Sequence, residues 1–399
     1  MPDKPAVHAG AKEEKMRREV AVESTAEAYL ELLAARGIDY FFANGGTDFG
    51  PIVEAYAKRL ASEFPVPKPV TVPHEITAVA MAHGYTMVTG RPQVVMVHTI
   101  AGTANAVGGL INASRTQIPM LFTAGRTPTT ESGLKGSRSS AIHWAQESFD
   151  QGSMVREWVK WDYELRPGVD LEGVVDRALA LAGSEPQGPV YLTLPREVIA
   201  EEGAGFSYAA DPRMTSPRSV AAPEAIHRAA RVLTIIINEL GLDMSQFGFE
   251  RPGTYFGAPA PGILGWGLGA ALGAKLAAPD KTVIACIGDG SYMFGAPTAA
   301  HWVARRMQLP VLCIVWNNAR WNAVASATRG LYPEGWTAHL NSYPFSDLSP
   351  SLDWELVCQA AGGYGERVED PAEVPAALER ALRVVQQEQR QALLNMASS

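Results

Sequence analysis

Short apolar runs alternate with helix-length segments along almost the whole chain, and this alternation restricts the fold more than any single motif. From residue 21 the runs IDYFFA, VPKPVTV, PQVVMVH, IPMLFTAG and GPVYLTLP read as strands. Between them VESTAEAYLELLAARG, FGPIVEAYAKRLASE, EITAVAMAHGYTMVTG, a Gly/Ala-rich stretch at 103–114 and a segment near 169–183 read as helices, the first ended by Gly37. Strands that are apolar on both faces and separated by helices belong to a parallel sheet covered on both sides. Residues 201–221, rich in Gly, Pro, Ser and Ala, read as a linker. The alternation then restarts, with PEAIHRAARVL as a helix, TIIIN as a strand, LGWGLGAALGAKLA as a helix, KTVIACI as a strand and a closing helix at 371–389. The expected fold class is therefore α/β, with two doubly wound parallel-sheet domains at 21–200 and 222–395. Residues 1–20 are expected to be a disordered polar tail. The halves share no repeat at the residue level, so any kinship between them is topological.

Composition narrows the function. The net charge is −8, which offers no surface for nucleic acid and no polybasic membrane patch. Cys286, Cys313 and Cys358 sit in apolar contexts without metal or disulfide spacing and read as buried thiols of a reducing compartment. The first twenty residues lack the apolar core of a signal peptide, and no apolar run is long enough to span a membrane. A soluble cytoplasmic protein is expected.

The chemistry concentrates in IGDGSYMFGAPTAAHWVARRMQLPVLCIVWNN, residues 287–318. Two apolar strands each end in small polar residues, one in Gly-Asp-Gly-Ser and the next in Asn-Asn. In an open parallel sheet, ligands sit beyond the carboxyl ends of the strands. A carboxylate (Asp289) and an amide oxygen presented there are hard-cation ligands. With a backbone carbonyl, two phosphate oxygens and a water they complete the octahedron that Mg²⁺ demands. Gly288 and Gly290 allow close backbone approach, and the following helix offers N–H groups to a phosphate. Each dipeptide alone is also ordinary turn chemistry. Their pairing behind two apolar strands is what points to a Mg²⁺-diphosphate site.

GDGS followed by NN at this separation resembles the diphosphate motif of the thiamine diphosphate (ThDP) enzymes, and the likeness extends over nearly the whole chain. The first domain is similar to that family's pyrimidine-binding domain and the second to its diphosphate-binding domain. The resemblance implies Asp289 and Asn318 as side-chain Mg²⁺ ligands, the Arg320 carbonyl as the backbone ligand, and Gly288, Gly290 and Ser291 around the diphosphate. In PGILGWGLGAALGA, Leu264 matches the family's bulky aliphatic wedge, which bends the cofactor, with Gly265 beside it. Gly265, Gly267 and Gly269 superficially fit a nicotinamide-binding turn, but such a turn follows a strand directly and these follow the Pro/Gly loop TYFGAPAPG.

In VPHEITAVA, Glu75 is either a carboxylate favouring a helix N-terminus or, within the resemblance, the catalytic glutamate that hydrogen-bonds a ring nitrogen of the aminopyrimidine. VMVHTIAGTANAVGGLINA resembles the corresponding segment of benzoylformate decarboxylase and its relatives, and puts His98 where that group has an active-site histidine. FFANGGTDFGP resembles the loop after the family's first strand. There Asn44 matches a polar cofactor-side position and Thr47 a position able to bind a substrate carboxylate, while Gly45 stands where Pro is usual. In HWAQESFDQ, Gln146 and Glu147 resemble a Gln-Glu pair of acetolactate synthase-like enzymes. His143, Trp144 and Gln146 line the site or belong to an interface helix.

Most of that branch carries a third, central α/β domain, for which the short linker leaves no room. Neither FAD nor a nucleotide is therefore expected. The family's sites lie between two chains, so the resemblance implies a homodimer or homotetramer with Glu75 and Asp289 of one site coming from different subunits. The implied activity is a ThDP- and Mg²⁺-dependent decarboxylation or carboligation of a small 2-oxo acid, benzoylformate decarboxylase-like. The alternatives are an acetolactate synthase-like transferase and a non-catalytic scaffold that has lost its substrate pocket.

Overall fold

A computed structural model describes residues 17–62, 64–203, 205–215, 234–239, 242 and 252–397. The expected helix PEAIHRAARVL and most of the expected tail lie outside them.

The first domain runs β2 (Tyr40–Asn44), α2 (Gly50–Ala61), β3 (Lys68–Thr71), α3 (Glu75–Thr89), β4 (Gln93–Val97), α4 (Thr99–Arg115), β5 (Met120–Arg126), α5 (Ile142–Ala145), β6 (Asp162–Glu164), α6 (Leu171–Gly183), β7 (Pro189–Pro195) and α7 (Arg196–Ile199). It is preceded by β1 (Arg17–Val20) and α1 (Thr25–Ala35) and followed by β8 (Phe206–Ala209). The second domain contains β9 (Thr234–Glu239), β10 (Tyr255–Gly257), α8 (Gly267–Ala277), β11 (Thr282–Gly288), α9 (Asp289–Phe294), α10 (Pro297–Met307), β12 (Val311–Asn317), α11 (Asn322–Leu331), α12 (Trp336–Leu340), α13 (Trp354–Ala360), β13 (Tyr364–Val368), α14 (Val374–Gln386) and β14 (Ala392–Ala397).

Each domain carries a six-stranded, wholly parallel sheet, in the orders β3-β2-β4-β5-β7-β6 and β10-β9-β11-β12-β14-β13. Counted from the first strand of each domain, the two orders are the same. The kinship of the halves is thus one of topology. In both sheets the chain first steps outward by one strand and then crosses back, so the direction of winding reverses between β2 and β4 and again between β9 and β11. Such a reversal opens a crevice at the carboxyl ends of the flanking strands.

Two expected boundaries differ. Arg17–Val20 of the expected tail and Phe206–Ala209 of the expected linker pair as an antiparallel ribbon, β1 with β8. Polar β1 shows little periodicity. Its register is fixed by contacts distant in sequence, such as Arg17 to Glu172. The helix expected at 103–114 begins earlier, at Thr99.

Local chemistry sets the helix ends. Ser24 caps α1 and Asp170 caps α6 through side-chain oxygens, and α3 stops at Gly90 in the left-handed region. One face of the first sheet packs under α1, α2 and α6. The opposite face, with α3 and α4, shares one continuous buried cluster with α8 and the second sheet. Where α3 crosses α8 the backbones nearly touch. A methyl on Gly84 would lie 2.1 Å from the Ala270 carbonyl oxygen, and one on Gly273 would lie 2.0 Å from that of Met81. The two domains are therefore joined within the chain by a closely packed apolar interface.

Candidate active site

The crevice of the first sheet gathers the polar residues singled out at its strand ends. Glu75 opens α3 and is 5% exposed. Its Oε1 accepts from Asn44 Nδ2 at 2.9 Å and its Oε2 from Asn105 Nδ2 at 3.3 Å. Two amide donors on separate elements, β2 and α4, thus fix the carboxylate. Gly102 lies against it, since a methyl there would be 3.2 Å from Oε1. Asn44, expected to face a cofactor, donates here to Glu75.

Asn105 was missed from the sequence. The signal was a stripe of small and amide residues, Gly102, Asn105, Gly108, Gly109 and Asn112, at helical spacing on α4. That stripe extends from Glu75 to the second domain: Asn112 Nδ2 donates to the Ile263 carbonyl at 2.9 Å, and Gly108 abuts the Ile263 side chain. Leu264 follows directly, half-buried and outside the three hydrophobic clusters. One helix of the chain thus runs from Glu75 to the loop of Leu264.

His98 sits at the carboxyl end of β4, across the crevice from Asn44. Its carbonyl accepts from the Gly102 N–H at 2.7 Å and its Nδ1 meets Asp48 Oδ1 at 2.5 Å. The Asp48 contact pushes the imidazole pKa upward, over the opposing effect of burial, with smaller upward contributions from Gln146 and Glu75. Gln146 is half-buried and accepts from Thr99 Oγ1 at 3.4 Å, which brings it beside His98. Its sequence neighbours point elsewhere. Glu147 pairs with Arg138 at 2.7 Å, Trp144 donates to Glu131, and His143 is held by Ser139 and Arg196. Thr47 is exposed and lines a surface depression with Lys135 and Arg196.

The loop of Leu264 is anchored from below. Glu239, at the end of β9, accepts from the backbone N–H groups of Gly265 at 2.8 Å, Trp266 at 3.3 Å and Gly267 at 2.6 Å. Burial pushes the Glu239 carboxyl upward despite these donors. Gly265 has φ +87°, and a methyl there would meet Gly295 Cα at 2.8 Å, so only glycine fits.

In the second crevice Asp289 is 4% exposed and accepts from the Gly290 N–H at 2.9 Å. Burial raises its pKa, opposed by the backbone N–H groups of Gly290, Ala319, Arg320 and Asn318. Asn317 is committed to structure: it donates to Ser351 at 2.7 Å and Asn395 at 2.9 Å. Asn318 is half-buried, and its Oδ1 accepts a local N–H, from Arg320 at 3.1 Å. Between them Ala319 takes φ +51° and turns the loop. The Arg320 carbonyl accepts from the Asn322 N–H at 2.9 Å and retains a second lone pair. Ser291 is buried in α9. A methyl on Gly290 would strike the Trp321 ring at 2.3 Å, whereas one on Gly288 would meet nothing within 4 Å.

Among the described residues no group of three or more His, Cys, Asp or Glu side chains is arranged to hold a metal ion. The donor set here is one carboxylate, one amide and one carbonyl. It fits a hard cation that takes its remaining oxygens from a phosphate and water, not a zinc-type site.

Two matching parallel sheets, with a buried acid and a carboxylate-amide pair beyond the carboxyl ends of their strands, define a two-domain cofactor-binding α/β protein. Residues 23–154 match the thiamine pyrophosphate enzyme N-terminal TPP binding domain, and residues 239–396 the C-terminal TPP binding domain of the same enzymes. The chain belongs to the thiamine pyrophosphate enzyme family. Its relatives include a probable acetolactate synthase of Mycobacterium bovis, 34% identical over 131 residues, which is 33% of this chain and 22% of that protein. A benzoylformate decarboxylase of Pseudomonas aeruginosa is 38% identical over 119 residues, 29% of this chain and 19% of that protein. The matched stretches thus span about a fifth of these relatives' length. In fold, the chain is similar to a thiamine diphosphate-dependent 4-hydroxybenzoylformate decarboxylase of Rhodococcus jostii, with TM-score 0.72 and 19% identity over 94% of this chain and 99% of that one. A benzoylformate decarboxylase of Polynucleobacter necessarius gives TM-score 0.70 at 17% identity, over 94% and 98% of the two chains.

Proposed function

We propose that the chain is a ThDP- and Mg²⁺-dependent enzyme that decarboxylates a small 2-oxo acid, or joins the resulting fragment to a second carbonyl, in the manner of a benzoylformate decarboxylase. The observation that carries this reading is the buried Glu75, held by two amides, in the same crevice as His98. When bound, the cofactor supplies an electron sink for the loss of CO₂. Glu75 holds the proton-sharing hydrogen bond to the cofactor ring, and its burial excludes water that would compete for it. Asp289, Asn318 and the Arg320 carbonyl hold Mg²⁺. Leu264 supplies an apolar ridge on a loop that Glu239 keeps in place. His98 delivers or receives the proton at the substrate, Gln146 flanks it, and Thr47, on the turn that carries Asp48, is the proposed contact to a substrate carboxylate.

Acetolactate synthase-like carboligation is the second reading, favoured by Gln146 beside Thr99. Glu147, the other half of the pair behind that reading, is held away by Arg138. A scaffold without chemistry has no use for Glu75, Leu264, Asp289 and Asn318 together. The exposed apolar side chains of Leu331, Tyr332, Trp336, Leu340 and Phe345 support self-association, and a homodimer or homotetramer is the proposed assembly. Cytoplasmic location is part of the same proposal. Among the described residues no helix is long and apolar enough to cross a membrane.

The test is CO₂ release from a panel of aliphatic and aromatic 2-oxo acids with ThDP and Mg²⁺ supplied, with product analysis for aldehyde against 2-hydroxy ketone. Release from at least one acid, abolished in Glu75→Gln, is expected. Absence of release across the panel from folded, cofactor-loaded protein contradicts the proposal.

A further inference from the structure

We propose that Asp48 is a positioning residue for His98: buried behind the imidazole, it fixes the proton on Nδ1 and aims Nε2 into the crevice that holds Glu75. This rests on the proposed role of His98 as the proton-transfer group.

Three features of the fold serve this one contact. Asp48 lies in a short turn, Thr47–Phe49, that follows β2, and it is 3% exposed. Its Oδ1 is 2.5 Å from His98 Nδ1, and its Oδ2 is buried without a hydrogen-bond partner. A carboxylate buried this deeply with half its acceptors unused is costly unless a charged partner compensates it. The imidazolium is the one charged partner that the described structure gives it. Second, two glycines make room for the pair. A methyl on Gly46 would lie 2.1 Å from His98 Nδ1, and one on Gly125 would lie 1.6 Å from Asp48 Oδ2. Neither glycine has a positive φ, so space and not backbone conformation is their reason. Third, Thr99, the residue after His98, takes φ +38°, an outlier for a β-branched residue at the junction of β4 and α4. Such strain, of order 1–3 kcal/mol, persists where surrounding structure holds a side chain in a required place.

A carboxylate at Nδ1 sets the tautomer. With Nδ1 donating to Asp48, Nε2 is left to give or take a proton at the reacting atoms. The groups facing the ring are Asp48 from the turn after β2, Gln146 from the segment after α5, and Glu75 from α3. Both carboxylates favour the protonated ring, so His98 keeps its proton to higher pH than a free histidine. Asp48 was not singled out in the sequence because Asp in GGTDFG is ordinary turn composition.

The experiment is a ¹H–¹³C NMR titration of histidine Cε1 in the full chain, with His98 assigned by loss of its signal in His98→Gln, alongside the pH profile of kcat. In the wild type, His98 is expected to titrate above the ~6.5 of a free histidine. In Asp48→Asn the midpoint is expected to fall by about one unit or more. The basic limb of kcat should move down by the same amount, kcat at pH 7 should drop at least about tenfold, and KM should change little. A wild-type midpoint at or below ~6.5 overturns the proposal without recourse to any variant. So does an unshifted midpoint in Asp48→Asn, or a loss of activity shared by kcat and KM with an unmoved pH profile. The titration needs no substrate. If it succeeds while no 2-oxo acid is turned over, the functional reading fails and the Asp48–His98 pairing stands.

Discussion

At Glu75 the side chain's surroundings, rather than its identity, separate catalysis from structure. An isolated Glu at a helix start is ordinary, but one buried and held by amides from two other elements is built to do something with its oxygens. Glu75→Gln keeps the shape and both amide contacts become rearrangeable. It is therefore expected to leave the melting temperature within a few degrees of wild type and cofactor affinity largely intact, while turnover falls about 10²-fold or more. A large loss of cofactor binding with proportional loss of stability would assign Glu75 a structural role. The glycines of the second crevice make a paired prediction. Gly288→Ala meets no protein atom within 4 Å, so it should fold normally and yet weaken Mg²⁺-dependent ThDP binding, read by calorimetry. Gly290→Ala forces Trp321 to move and should lower stability as well. Equal, unimpaired binding in both variants would remove this loop from the site.

Helix crossing and strand order carry the next level. The α3–α8 crossing depends on Gly84 and Gly273, whose absent side chains let backbone meet backbone. Gly273→Ala is expected to cost about 1–3 kcal/mol in denaturant unfolding, because the obstructing atom is a carbonyl that cannot rotate away. A neutral or stabilising outcome would show that the helices are not packed this closely. At this scale much was legible in the sequence. Apolar runs such as VVMVH and VIACI announce strands buried on both faces, and Gly90 and Gly37 announce helix ends. The GDGS and NN pair was legible as two polar loops following buried strands, and the structure places Asp289 and Asn318 directly after β11 and β12. The β1–β8 ribbon was not, since its pairing spans nearly the whole first domain and its strands are polar or short. Asn105 and Asp48 were hidden for a related reason. Each acquires its role from a neighbour distant in sequence, Glu75 or His98; a faint helical stripe of small and amide residues marks Asn105, and only ordinary turn composition surrounds Asp48.

Across the whole molecule, buried histidines set the response to acid. Burial pushes His83 down to about 3 and His301 down to about 4. His83 lies against Trp266, and His301 is wedged between the Tyr292 hydroxyl and Gln391. Both are neutral in the folded state and protonate in the unfolded chain below ~6.5. The unfolded state then binds more protons, so stability falls as pH drops from ~6.5 towards about 4, each histidine adding a slope of up to ~1.4 kcal/mol per pH unit. His83→Phe, which keeps the ring against Trp266, should flatten that slope in urea unfolding at a series of pH values. An unchanged slope would place the proton uptake elsewhere. Domain pairing is tested by mixing Glu75→Gln with Asp289→Asn chains. In the proposed homodimer, with Glu75 of one subunit facing Asp289 of the other, a mixed dimer rebuilds one intact site, so activity should return. Absence of recovery in mixed dimers would place the acid and the metal ligand of each site in one subunit.

The central claim is that the two crevices together bind ThDP through a cation at Asp289 and Asn318. Its most direct measurement is calorimetric titration of ThDP into metal-stripped protein, with and without Mg²⁺, repeated in Asp289→Asn. Saturable binding that requires Mg²⁺ and is lost in the variant is the predicted result. Absence of binding under either condition, or binding indifferent to both Mg²⁺ and Asp289, would contradict the account.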